Sequence, residues 1–141
     1  DLPLATRSYS YMVDGTITLM KDVVINGQVI ARAGEQINPL ADTRLSKQYA
    51  IIDIESENQR EIVRIWKKKH PNIKVISTSL PTYEEQHAFE GEFGLISQLD
   101  PMLTKRFGLE KIPSLVYQQD KKLRVEVIQH DVDLEGKGEE K

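Results

Sequence analysis

Side chains able to do chemistry are sparse in this chain, and their spacings match no reactive arrangement. Cysteine is absent, which excludes disulfides, thiol catalysis and thiolate metal sites. His87 stands among Glu84, Glu85 and Glu90. On a helix, Glu84 and Glu90 fall three residues either side of the imidazole, and these are ligand types that metals accept. The other histidines, His70 and His130, are distant in sequence, so the cluster reads as a solvated acidic helix face. A hydrolytic set could be drawn from Ser77, Ser79, His87 and Asp100. Such a site needs a nucleophile, a base and an orienting group brought together. None of these residues sits in a Gly-x-Ser-x-Gly elbow. Gly91 and Gly94 lack the lysine and the further glycines of a phosphate loop. The reading is no catalytic residue, no metal and no cofactor.

Bulk properties suit a globular protein built on one domain. The 141 residues are 39% hydrophobic and 29% charged, enough for a real core. No run of 18 apolar residues is present, so no membrane-spanning helix is expected. The net charge of −3 gives no electrostatic case for nucleic acid. The runs Lys67-Lys68-Lys69 and Lys121-Lys122 read as solvated faces.

The elements that would position these residues follow from periodicity and breakers. Residues 1–15 read as a flexible arm, with Tyr9 and Tyr11 exposed as candidate partner contacts. Residues 16–48 read as a small β-hairpin extension. Val24 and Ile25 face Val29 across Asn26-Gly27, the pair a type I′ turn prefers because both positions need positive φ. The unit is too small to stand alone and should pack on the domain that follows or on a partner. Residues 49–54 form a short apolar strand. Ser56 and Gln59 have capping-box spacing, and Ile62, Val63, Ile65 and Trp66 put an apolar stripe on the next helix. His70-Pro71 ends that helix, and residues 73–76 return as a strand. A weaker helix spans 81–92, a short strand 94–97 and a short helix 101–107. Strands at 113–118 and 122–129 close the domain of residues 49–130. Leu123, Val125 and Val127 alternate with charged residues, as on a half-exposed edge open to another chain. The tail 131–141 lacks apolar anchors and is expected to be disordered.

The fold class expected is α/β. The order βαβαβαββ, with Ile112-Pro113 entering the run Ser114-Leu115-Val116-Tyr117, resembles a thioredoxin-like fold, in which the corresponding X-Pro bond is usually cis. Redox thioredoxins carry a reactive thiol at the start of the first helix; this chain has Glu55-Ser56-Glu57-Asn58 there. A closer resemblance, to the TraW family, runs through ordered blocks. They are Asn38-Pro39-Leu40, Leu45-Ser46, Ile51-Ile52-Asp53, Gln59 and Trp66, Arg106-Phe107-Gly108-Leu109, Ile112-Pro113-Ser114-Leu115-Val116, and Leu123-Arg124-Val125-Glu126. TrbC-family proteins share the Phe-Gly and proline features; the Asn-Pro-Leu block favours TraW. Two segments depart from the TraW pattern: Asp53 is followed by Ile54-Glu55, and Ser97 to Pro101 replaces an aromatic segment.

This resemblance implies a non-enzymatic periplasmic component of an F-type conjugative type IV secretion system. It implies a role in pilus assembly and DNA transfer, with a TrbC-family protein and other secretion components as partners. The alternative is a redox-inactive chaperone or peptide-binding module using the Ile112-Pro113 loop, since a loop with free backbone groups can pair with an extended ligand.

Overall fold

The computed structural model describes residues 2–41 and 44–130. The expected disordered tail, 131–141, lies outside the described residues.

The main sheet is assembled from strands far apart in sequence. Gln48–Ile52 (β6) and Ile73–Ser77 (β7) pair in parallel across the helix Glu57–Lys69 (α1). Ser114–Gln119 (β9) runs antiparallel to β6, and Lys122–Val127 (β10) antiparallel to β9. The order β10-β9-β6-β7, with Ile112–Pro113 cis just before β9, is the thioredoxin-like arrangement. Ile96–Gln98 (β8) adds in parallel beyond β7, between the helices Tyr83–Phe93 (α2) and Pro101–Phe107 (α3). The fold class is α/β, as expected.

Two apolar layers lie on opposite faces of this sheet, because neighbouring residues of a strand point to opposite sides. Ala50 and Ile52 of β6 pack with Val63 of α1, Val75 and Phe93. Ile51 packs the other way, with Phe107, Val116, Leu123 and Val125. Local chemistry ends the helices where the sequence signals. The Ser56 hydroxyl accepts from the Gln59 amide at 3.3 Å, Thr82 and Glu85 form a capping box, and Asp100 caps α3.

Two expectations are corrected at the chain's start. Residues 9–14 lie in the span read as a flexible arm, but they form a strand, Tyr9–Asp14 (β1), antiparallel to β10 from Tyr9↔Val127 to Asp14↔Lys122. Tyr9, Tyr11 and Val13 face the core as partly buried residues rather than standing fully exposed. Strand β10 is therefore interior to the sheet, not its edge. Leu123, Val125 and Val127 are buried in the core layer with Ile51, Phe107 and Val116, and β1 supplies the backbone partners that an edge would lack.

Between β1 and β6 lies the extension. Ile17–Thr18 (β2) pairs with Gln36–Ile37 (β5), and Val23–Ile25 (β3) with Gln28–Ala31 (β4). Asn26 and Gly27 both have positive φ, 54° and 78°, as the Asn-Gly turn requires.

Candidate interaction sites

Of the reactive side chains named from sequence, the structure brings together Ser77 and Ser79, whose hydroxyl oxygens lie 3.2 Å apart. Ser77 is buried, and its Oγ accepts from the Ile54 and Ser79 amides, each at 3.1 Å. It is a junction of backbone amides. Asp100 Oδ1 accepts from the Leu103 amide as a helix cap. His87 is exposed and stacks against Tyr83, with ring centroids 6.2 Å apart. Glu85 is engaged in the capping box with Thr82. Glu90 accepts from the Ile96 amide and from Gln86, and these bonds hold its carboxyl below the usual carboxylate range. Among the described residues, no three histidine or acidic side chains are grouped so as to hold a metal ion.

Residues of the extension and of the domain meet in one seam. Asn38 Nδ2 donates to the Lys121 carbonyl at 2.9 Å, and its Oδ1 accepts from the Leu40 amide. The Leu45 amide donates to Gln118 Oε1 at 2.7 Å. Tyr49 packs on Phe107, with centroids 5.3 Å apart. Leu40, Leu45, Phe107 and Leu123 line an apolar cleft of about 260 Å³ there. These contacts dock the extension onto the domain.

The hairpin of β3 and β4 is exposed from Val24 to Ile30. Val24, Ile25, Val29 and Ile30 leave 54, 55, 41 and 60% of their surface in solvent, and Met20 beside them 89%. Within the sheets, β3 and β4 pair only with each other, so their outer backbone edges carry no strand partner. By register Val24 and Val29 share one face of the ribbon while Ile25 falls on the other, so both faces expose apolar side chains of the kind that mark a protein–protein surface.

The Ile112–Pro113 loop is buried, and its backbone is engaged. The Ile112 amide donates to the Pro3 carbonyl at 3.0 Å, and the Ile112 carbonyl accepts from the Ala5 amide at 2.8 Å. Sequence reasoning misses residues 2–5 as part of a site. Their only signal is the apolar pair Leu2 and Leu4 with Ala5 in an otherwise polar segment.

No family model matches the chain, and no curated protein is significantly similar to it. Among solved structures, the chain is similar to a thioredoxin-like protein from Aeropyrum pernix. That match has 17% identity and a TM-score of 0.37, and covers 62% of this chain and 70% of that one. Among the described residues, no helix is long and apolar enough to cross a membrane.

Proposed function

We propose that this chain is a non-enzymatic assembly component of an F-type conjugative type IV secretion system. In this reading it works in the periplasm, in pilus assembly and DNA transfer, by binding a TrbC-family partner. The observation that carries the binding role is the exposed apolar hairpin of Val24, Ile25, Val29 and Ile30, with its free backbone edges. A strand or apolar groove of a partner could cover both at once. The system and compartment are supported by the ordered TraW-like blocks. A structural role for the start of α1 fits this reading: Ser56, where redox thioredoxins place their thiol, caps the helix.

Calorimetric titration with the TrbC-family protein of the same transfer operon tests the proposal. One-to-one binding tighter than about 1 μM is expected. Absence of binding at about 100 μM, a free energy weaker than roughly −5.5 kcal/mol, would remove direct pairing with that partner.

A further inference from the structure

The cleft of about 260 Å³ at the seam is walled from two sides. Leu40 and Leu45 come from the extension, and Tyr49, Leu103, Phe107 and Leu123 from the domain. Phe107 and Leu123 are buried, while Leu40, Leu45 and Leu103 are only partly so. Their open sides are apolar surface left in contact with water, and covering it is favourable. A second trough of about 570 Å³ adjoins the cleft, lined in part by Asp14, Thr16, Thr18 and Lys105. Gly15 and Arg106 line both spaces and so stand where they join. The missing side chain of Gly15 keeps that junction open, since a Cβ there would meet Leu40 Cδ1 at 3.2 Å.

The charge at this junction is positive and unpaired. Arg60, Arg64 and Arg124 each hold a glutamate, but Arg106 is exposed and makes no ion pair among the described residues. Lys105 stands beside it, also without an ion pair among those residues. The one carboxylate lining the trough, Asp14, already accepts from the Thr16 amide at 2.9 Å. Two cations against one carboxylate suit a single added negative charge, and a guanidinium fork suits a carboxylate in particular. The apolar cleft lies just under the ~300–1,000 Å³ of ordinary small-molecule sites, which favours a slender chain over a ring system. We propose that this cleft binds a monocarboxylate with a medium-length acyl chain. The chain lies against Leu40, Leu103 and Phe107, and the carboxylate meets Arg106 at the junction. Such an occupant touches extension and domain at once, so it braces the seam. The site is separate from the hairpin and stands whether or not the hairpin docks a partner.

The test titrates the full chain, isotope-labelled, with octanoate and with 1-octanol as its uncharged counterpart. Octanoate should shift the Leu40, Leu45 and Phe107 amide signals and saturate with a Kd below about 1 mM. Arg106→Gln should weaken octanoate by at least ~10-fold, the scale of a lost charged hydrogen bond, and leave 1-octanol binding unchanged. Gly15→Val should close the junction and remove the octanoate shifts. No saturable shift, shifts confined to other parts of the chain, or equal octanoate affinity in Arg106→Gln would each overturn the proposal. The Arg106→Gln and 1-octanol comparisons decide the matter if Gly15→Val does not fold.

Discussion

The hydroxyl of Ser77 shows how a residue with reactive chemistry is used here for structure. It accepts from the Ile54 and Ser79 amides in a buried position, where an amide left without a partner is costly. Ser77→Ala should lower the unfolding free energy by about 1–3 kcal/mol, read by urea denaturation; a change below about 0.5 kcal/mol would contradict this role. Tyr117 offers a pH test. Its hydroxyl donates to Glu126 Oε2 at 2.6 Å. Burial first, then this bond and the Glu126 charge, push its pKa from 10.0 up to about 12. The folded protein therefore holds that proton more tightly than the unfolded chain does. The resulting stabilisation is full below pH 10 and is lost as pH rises to about 12. Burial raises Tyr11 in the same direction. Tyr117→Phe, which removes one of these titrations, should lose stability less steeply than the unmodified chain across that window. Superimposable pH profiles would show that Tyr117 is not perturbed.

Gly108 couples a helix end to the added strand. It closes α3 in the left-handed region, at φ 62° and ψ 38°, and its carbonyl accepts from the Tyr11 hydroxyl at 2.7 Å. A Cβ there would meet Val13 Cγ2 at 3.1 Å. Gly108→Ala should therefore destabilise the chain by roughly 1–2 kcal/mol, the scale of a left-handed non-glycine residue, with the loss read by thermal or urea unfolding. A neutral substitution would contradict the account of this turn. At the element scale much was legible locally. Asn26-Gly27 announced its turn, Ser56 its cap and Ile112-Pro113 the entry to β9. The strand β1 was half legible: Tyr9, Tyr11 and Val13 alternate with Ser10, Met12 and Asp14, the period of a strand with one buried face. Its partner, β10, lies at the far end of the chain, and no local pattern names a distant partner. For the same reason the alternation in 122–127 suggested an edge, although β1 covers it. Residues 2–5 were less legible still, because backbone bonds to Ile112 place them, and a sequence pattern does not display such bonds.

At the scale of the whole molecule, β1 and β10, far apart in sequence, are built into one thioredoxin-like sheet, and the extension is docked through the Asn38, Leu45 and Tyr49 seam. This division of labour leaves the β3–β4 ribbon as exposed apolar surface on a braced support. We propose that this ribbon is where a TrbC-family partner binds. Amide hydrogen exchange of the full chain, with and without saturating partner, tests it most directly. The account predicts that amides from Val23 to Ala31 slow by at least ~10-fold in the complex, while those of Val116 and Val125 keep their rates. Unchanged exchange across Val23 to Ala31, whether the partner binds elsewhere or not at all, would contradict it.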